Sequence, residues 1–198
     1  MQTKYSYWLF KNVLSEKDRN KIKQTAKKSG YAEATIGNAD NVAEETEKKL
    51  RNTDIAFSND RYLYDLFCPF VYSANEVSGW KYDLDWFEDI QIARYKKNQY
   101  YGWHTDGGSD HFGVYPEGIN SGGKVRKVSL VAFLSNGYAG GDLELALQRQ
   151  GEENEVLYPE IGVGDVIVFP SYVFHRSTPI TKGTKYSASM WCLGSPFR

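Results

Sequence analysis

The pattern of hydrophobic and polar positions predicts two helices in the first 80 residues. Ser15-Glu16-Lys17-Asp18 has the form of a capping box, because a hydroxyl and an acid three residues later can each accept a backbone N–H. We expect this helix to begin there and to end by Gly30. A second helix is predicted over 59–77, although Pro69 should kink or interrupt it. Its apolar residues at helical spacing are Leu63, Leu66, Phe67 and Phe70. Residues 38–53 are polar and acidic and predict a loop or a weakly held element.

After Trp80 the pattern changes to short β-branched and aromatic runs separated by Gly, Asn and Pro, which is typical of a β-sandwich or barrel. Strands are predicted over 90–95, 101–106, 127–134, 142–147, 155–158, 165–169, 174–178 and 185–193. Eight strands suit a double-sheet jelly roll. The Gly- and Ser-rich stretch over 107–124 predicts a long loop.

These elements define the expected fold. Helices come first and strands follow, which predicts an α+β, mainly β protein: a jelly roll with N-terminal supporting helices. The length of 198 residues fits one domain. We expect a single domain over 1–198, with helical support over about 1–80 and the jelly-roll core over about 88–195.

Composition and charge narrow the choice of partners. The chain is 41% hydrophobic and 15% aromatic, as a folded globular protein would be, and its formal net charge of −1 gives no reason to expect a nucleic-acid or membrane partner. Two cysteines are too few for a disulfide framework and indicate a reducing, cytoplasmic setting. Lys4, Lys11 and Lys17 interrupt any apolar run that could form a signal peptide or membrane span. The sequence leaves the oligomeric state open.

The chain has three histidines, and two of them stand where a metal site would need them. His104 and Asp106 are two apart on a predicted strand, so period-two alternation points both side chains to one face. A third ligand is expected far along the chain, and His175 follows a short turn at the start of another predicted strand. Two histidines and one carboxylate leave about half of an octahedral shell open, which favours iron(II) over a closed zinc site.

Each of these residues also has an ordinary structural interpretation. A His-x-Asp pair is common by chance, and a lone histidine such as His175 is more often a hydrogen-bonded core or surface residue. His111 lies in the predicted long loop and is the least favoured ligand for that reason. Only the combination with the surrounding motifs raises the metal site above these alternatives.

Five short motifs follow one another through the second half of the chain. They are Tyr101-Gly-Trp-His104-Thr-Asp106, Arg126-Lys-Val-Ser-Leu-Val-Ala-Phe-Leu-Ser135, Gly140-Gly-Asp-Leu143, Gly164-Asp-Val-Ile-Val-Phe-Pro170 and His175-Arg-Ser-Thr-Pro179. As an ordered set they resemble the prolyl 4-hydroxylase-like branch of the 2-oxoglutarate- and iron-dependent oxygenases. The resemblance covers residues 91–191, and its motifs are specific as a set although each is weak alone.

The resemblance implies a double-stranded β-helix with iron at one open end. It also implies a basic residue, ten positions after the distal histidine, that binds the distal carboxylate of 2-oxoglutarate; Lys185 stands there, and lysine is typical of this branch. Tyr95 and Ser129 are implied to lie beside the cosubstrate. Strand alternation places Ser187 on the same face as Lys185, so its hydroxyl is a further cosubstrate candidate. Candidates for the substrate side are Tyr101, Trp103 and Trp191.

The activity implied by the resemblance is hydroxylation of a C–H bond. Fe(II), 2-oxoglutarate and O2 would take part, with ascorbate as a further candidate, and succinate and CO2 would be released. Peptidyl proline is the family's default substrate, and another amino acid or a small molecule is the first alternative. The near-neutral charge disfavours a nucleic-acid demethylase of the same fold. A non-catalytic jelly roll that binds a ligand or partner protein is a third alternative, against which the intact set of site residues speaks.

Overall fold

A computed structural model of the protein describes residues 5–34, 50–106, 114, 122–147 and 155–196. The two loops predicted over 38–53 and 107–124 lie largely outside these residues. Within the first of them, residues 51 and 52 form a short strand, so that end of the segment is ordered into a sheet and is not a loop.

Both predicted helices are present. Helix α1 spans Glu16–Ser29, and its capping box is confirmed: the Asp18 N–H donates to Ser15 Oγ at 3.2 Å, while the Ser15 N–H donates to Asp18 Oδ2 at 3.1 Å. Helix α2 spans Arg61–Val77 and runs through Pro69. The expected interruption there is wrong, because one helix face is buried on both sides of the proline. The residues of that buried face are Leu63, Phe67, Val71 and Ala74.

Fifteen strands occur in the described part of the chain. In chain order they are β1 Trp8–Phe10, β2 Ala32–Glu33, β3 Arg51–Asn52, β4 Asp54–Ser58, β5 Trp86–Phe87, β6 Ile90–Tyr95, β7 Tyr100–His104, β8 Val125–Phe133, β9 Ala139–Gly140, β10 Leu143–Leu147, β11 Glu155–Leu157, β12 Val166–Pro170, β13 Phe174–Ser177, β14 Ile180–Lys182 and β15 Lys185–Gly194. The eight predicted strands correspond to β6, β7, β8, β10, β11, β12, β13 and β15. The predicted number was too low because six of the other seven strands have only two or three residues, while β4 has five but lies before Trp80, where no strands were predicted.

The strands form two main antiparallel sheets and a small ribbon. The larger sheet has the order β1-β12-β8-β15-β6-β4-β2, with β5 beside β15, and the smaller sheet has the order β11-β10-β13-β7-β3. Strands β9 and β14 form the ribbon. This arrangement confirms the predicted mainly β jelly roll. The N-terminal part is not purely helical, because strands β1 to β4 precede or separate the helices and extend both sheets; the single-domain assignment stays a prediction.

Two layers of apolar side chains surround the larger sheet. Strand β8 shows why, since Val128, Leu130 and Ala132 belong to the core that contains the helices, whereas Phe133 belongs to the core between the sheets. The alternation of strand side chains therefore buries both faces of this sheet. The helices support it from behind, and the cavity described below opens on its other face. None of the helices among the described residues is long and apolar enough to cross a membrane.

The capping box makes a testable contribution to stability. Ser15→Ala removes the hydroxyl that accepts the Asp18 N–H and should lower the free energy of unfolding by about 1 kcal/mol. Urea unfolding followed by circular dichroism measures this change. Gln24→Ala, at an exposed position inside the same helix, is the matched control and should change the free energy by less than about 0.5 kcal/mol. Equal losses in the two variants would contradict a capping role.

Candidate metal and cosubstrate site

The smaller sheet brings two histidines together through an irregular strand pairing. His175 lies opposite His104, and Ser177 lies opposite Tyr101, so two residue steps on β13 match three steps on β7. The extra residue on β7 is a bulge. Because of this bulge, Tyr101 and His104 project to the same face although they are three residues apart, and their rings stack with centroids 3.5 Å apart.

Asp106 completes a cluster of three side chains that could bind a metal ion. The His104 Nε2 atom lies 3.7 Å from Asp106 Oδ1, and the His175 Nε2 atom lies 3.6 Å from Asp106 Oδ2. One ligand atom from each residue lies within 4.8 Å of the other two. The sequence predicted a strand through 106, but β7 ends at His104 and Asp106 lies in the following turn. Its N–H donates to the Ser171 carbonyl at 3.1 Å, and this bond sets the position of the residue in place of strand alternation.

Main-chain carbonyls orient both histidine rings. His104 Nδ1 lies 2.8 Å from the Gly102 carbonyl oxygen, and His175 Nδ1 lies 3.0 Å from the Val173 carbonyl oxygen. A carbonyl oxygen can only accept, so Nδ1 carries the proton and Nε2 presents a lone pair to the cluster. Burial, with a smaller effect from His175, lowers the pKa of His104 to about 3, which keeps this ring neutral. A neutral imidazole is the form that binds a metal ion.

Asp106 is held in its ionised form. Burial raises the pKa of Asp106, but His175, His104, Arg126 and a hydrogen bond from Ser129 together outweigh burial and leave that pKa below its usual value. The Ser129 hydroxyl donates to Asp106 Oδ2 at 2.5 Å. The Arg126 guanidinium donates to the Asp106 main-chain carbonyl at 2.6 Å and also pairs with Glu88. Ser129, predicted beside the cosubstrate, therefore contacts a candidate metal ligand.

The donor set fits an octahedral iron(II) ion. Two oriented imidazole nitrogens and one ionised carboxylate would supply about half of such a coordination shell and leave the other half for further ligands. A structural zinc site would use four protein ligands, and the described residues offer three in this cluster.

Lys185 lies at the other end of the same cavity and is only 2% exposed. Its ammonium donates to the Gly141 carbonyl at 2.6 Å and to Ser177 Oγ at 2.9 Å. An ammonium has three donors, and the third has no partner in the part of the chain that the structure describes. Burial lowers the pKa of Lys185 to about 8, although nearby Asp142 opposes this shift. Such a group suits an anionic ligand, because an added carboxylate would supply the missing partner.

The other predicted site residues divide into two groups. Tyr95, Ser187, Tyr101 and Trp191 line the cavity together with Lys185 and the metal cluster. Tyr95 is the cross-strand partner of Lys185, and the Lys185 ammonium lies 5.4 Å from the centroid of its ring. Trp103 lies elsewhere: its ring packs 4.8 Å from the guanidinium carbon of Arg176, which pairs with Glu144 on the outer face of the smaller sheet. The structure therefore does not bring Trp103 to the cavity.

Three residues that lie in or beside this site were not assigned to it from the sequence. Ser177 supports Lys185, and its position two residues after His175 on a strand could have indicated the shared face. Gly141 supplies a carbonyl to the same ammonium, which no sequence pattern indicates. Arg51 lies beside Tyr101, with its guanidinium carbon 4.4 Å from the ring centroid, in a segment predicted to be a loop.

A jelly roll with two histidines and one carboxylate beside a buried lysine defines a non-haem iron type of site. Comparison with known families agrees with this class. Residues 90–193, just over half of the chain, match the family model described as the 2OG-Fe(II) oxygenase superfamily. The chain belongs to this superfamily, and the resemblance inferred from its motifs is confirmed.

Several individual relatives are named as hydroxylases. A PKHD-type hydroxylase of Xylella fastidiosa (strain M23) is 35% identical over 104 residues, which cover 51% of this chain and 42% of the relative. The chain thus spans about two fifths of the length of this relative and of two similar ones.

Solved structures agree in fold. A viral collagen prolyl hydroxylase from Paramecium bursaria Chlorella virus-1, in complex with 2OG, has a TM-score of 0.64 and 21% identity and covers 96% of this chain and 97% of its own. A Trichoplax adhaerens prolyl hydroxylase, bound to a peptide fragment of the hypoxia inducible factor oxygen degradation domain, has a TM-score of 0.68 and 18% identity and covers 94% and 83%. At these identities the likeness is one of fold.

The close packing of Gly141 against Ile180 and Lys185 can be tested by substitution. Its φ of +70° favours glycine, and a Cβ there would lie 2.3 Å from Ile180 Cδ1 and 3.1 Å from Lys185 Cδ. Gly137 has a similar φ of +76°, but a Cβ there would meet nothing within 4 Å. Gly141→Ala should therefore lower the free energy of unfolding by about 1–3 kcal/mol more than Gly137→Ala does, because only the first adds a steric clash. Urea unfolding of both variants measures the difference, and similar losses would show that the close packing is unimportant.

Proposed function

We propose that this chain is an Fe(II)- and 2-oxoglutarate-dependent dioxygenase that hydroxylates a C–H bond and releases succinate and CO2. The observation that carries the proposal is one cavity that contains both the His104, Asp106 and His175 cluster and the buried ammonium of Lys185. We further propose peptidyl proline as the substrate. This part is supported by similarity to proteins named as prolyl hydroxylases, one of them bound to a peptide.

Three residues would hold the iron. The Nε2 atoms of His104 and His175 and one Asp106 oxygen would bind it, and the hydrogen bonds to the Nδ1 atoms would keep both rings in place. When bound, Fe(II) would supply the activation of O2 that couples oxidation of 2-oxoglutarate to hydroxylation, which amino-acid side chains cannot do. The Ser129 hydroxyl would fix the carboxylate orientation, since hydrogen bonds to ligands of this kind tune metal affinity.

Lys185 would fix the far end of the cosubstrate. Its ammonium is already positioned by the Gly141 carbonyl and the Ser177 hydroxyl, so little side-chain freedom is lost when a carboxylate binds. A charge-assisted hydrogen bond in this buried setting is stronger than one in water. The cavity walls include Val131, Phe133 and Leu143, which would keep water away from the reacting groups.

The activity is tested by turnover of 2-oxoglutarate. The protein with Fe(II), 2-oxoglutarate, ascorbate and O2 should form succinate, and proline-containing peptides should gain about 16 Da in mass by incorporation of one oxygen atom. His104→Ala should reduce succinate formation at least about 100-fold, because it removes a metal ligand. His111→Ala is the matched control, since the sequence does not assign this third histidine to the site, and it should retain activity.

Each part of the proposal can fail separately. Absence of succinate in the wild-type protein would contradict the dioxygenase, and full activity of His104→Ala would remove His104 from the iron shell. Succinate formation with a mass gain on another amino acid or on a small molecule, and none on proline, would replace the proposed substrate but keep the dioxygenase.

Lys185 gives 2-oxoglutarate binding a defined pH dependence. Burial lowers the pKa of Lys185 to about 8, and only the protonated ammonium attracts a carboxylate. The affinity should therefore be constant well below pH 8 and should fall, approaching about tenfold per pH unit, as the pH rises above 8. Isothermal titration of the Mn(II)-loaded protein with 2-oxoglutarate measures this profile.

The control for this profile is Lys185→Arg. Arginine stays charged throughout the range, so the variant should show a flatter profile above pH 8 even if its affinity is lower. Lys185→Met should bind 2-oxoglutarate weakly at every pH. An unchanged wild-type affinity on both sides of pH 8 would contradict binding through this ammonium.

A further inference from the structure

Arg51 lies next to a row of cavity-lining residues on the smaller sheet. In the register of that sheet, Leu143 is opposite Ser177, Ser177 is opposite Tyr101, and Tyr101 is opposite Arg51. Directly opposite residues of neighbouring strands project to the same face. Because Leu143, Ser177 and Tyr101 all line the cavity, the side chain of Arg51 continues the same row at the β3 edge.

The guanidinium of Arg51 is buried without a counter-ion among the described residues. Arg51 is 8% exposed, and its Nε and Nη2 atoms are fully buried and have no hydrogen-bond partner within the described portion of the chain. Other arginines near the site are paired, Arg126 with Glu88 and Arg176 with Glu144. No carboxylate in the described ranges lies within ion-pair distance of Arg51.

Contact with Tyr101 does not balance this burial. The Arg51 guanidinium carbon lies 4.4 Å from the centroid of the Tyr101 ring, which itself stacks on His104. A cation–π contact of this kind stabilises a charge only modestly. Burying an unpaired charge costs more than such a contact returns. A site that keeps such a charge is suited to an anionic partner that binds there.

The two unpartnered atoms also indicate the shape of that partner. The Nε and Nη2 N–H groups lie along one edge of the planar guanidinium and point in nearly parallel directions, as one fork. A carboxylate, with two oxygens at matching separation, accepts both bonds at once. Lys185 is the ammonium assigned above to the cosubstrate, so a carboxylate bound by the fork of Arg51 would be a second one.

We infer that Arg51 binds a carboxylate of the substrate that is hydroxylated, so that this enzyme selects an acidic substrate. The inference rests on the proposed function, because it names the class of molecule that enters the same site. The carboxylate is either the terminal carboxylate of a free or C-terminal residue or the side chain of an acidic residue next to the hydroxylated one. In both cases the stack of Arg51, Tyr101 and His104 would connect the bound anion to the metal cluster.

Matched acid and amide probes test the inference by binding alone. The protein, loaded with Mn(II) and 2-oxoglutarate, is titrated calorimetrically with three pairs: N-acetylproline and N-acetylprolinamide, acetyl-Pro-Asp-amide and acetyl-Pro-Asn-amide, and acetyl-Asp-Pro-amide and acetyl-Asn-Pro-amide. The acid member of at least one pair should bind about 10- to 100-fold more tightly than its amide. Preference in the first pair identifies a terminal carboxylate, and preference in the second or third identifies an acidic neighbour.

Three variants separate charge, geometry and packing. Arg51→Gln should reduce the acid preference to about one and leave the affinity for 2-oxoglutarate unchanged. Arg51→Lys keeps the charge but lacks the fork, so its preference should be intermediate. Arg176→Gln is the matched control, because it removes a guanidinium that also packs on an aromatic ring of this sheet but lies on the outer face; it should keep the wild-type preference.

Thermal unfolding distinguishes a binding role from a structural one. If Arg51 binds an absent ligand, Arg51→Gln removes an unpaired buried charge and should melt at the wild-type temperature or above it. A large decrease would assign Arg51 a structural role and overturn the inference. Three other results would also overturn the inference. They are equal affinities for acid and amide in every pair, an acid preference retained in Arg51→Gln, and a loss of affinity for 2-oxoglutarate in that variant.

The inference and the proposed function fail in different ways. An acid preference that depends on Arg51, in a protein that forms no succinate with Fe(II) and O2, would support the carboxylate site and contradict the dioxygenase. Succinate formation with no acid preference would support the dioxygenase and contradict the carboxylate site.

Discussion

The pairing of β7 with β13 is the constraint on which the site depends. This register sets His104 directly opposite His175, and a bulge on β7 returns Tyr101 to the same face. A slip of one residue would turn one histidine away from the other, since strand side chains alternate between faces. The register is held by the core between the sheets, where Leu145 lies opposite His175 and Phe169 packs against its ring at 4.9 Å.

The buried polar groups of the cavity depend on this rigid pairing. Lys185 and Asp106 are charged groups away from water, which is costly unless their partners are fixed. Both are held by groups from other strands or turns: Lys185 by Gly141 and Ser177, and Asp106 by Ser129. The apolar core behind the larger sheet, which contains both helices, contributes stability without occupying the cavity. The two sides of that sheet therefore have separate functions, one for stability and one for chemistry.

Local patterns in the sequence predicted most of the regular elements. Strand β6 was predicted with both ends correct because it is six residues long and bounded by polar turns, and α1 was predicted from its capping box. The two-residue strands were missed because two residues are too few to show an alternating pattern. The bulge in β7 had a signal, since Gly102 interrupts an otherwise regular strand and glycine inside a strand often marks a bulge. The sequence contains no comparable signal for Arg51, because the burial of this residue follows from a cross-strand pairing with Tyr101, 50 positions later.

The cations of Lys185, in the cavity, and Arg51, beside it, suit different tasks for physical reasons. An ammonium is a compact charge whose pKa responds to burial, and that of Lys185 falls to about 8, so its strength as an anion site depends on pH. A guanidinium offers a planar fork of two donors that matches the two oxygens of a carboxylate. An amide fits it poorly, because an amide has a single acceptor for the two donors. The ammonium is therefore suited to a cosubstrate that is anchored mainly by the metal. The fork of Arg51 is suited to selection among substrates, where a missing partner leaves buried donors unpaired and so costs affinity.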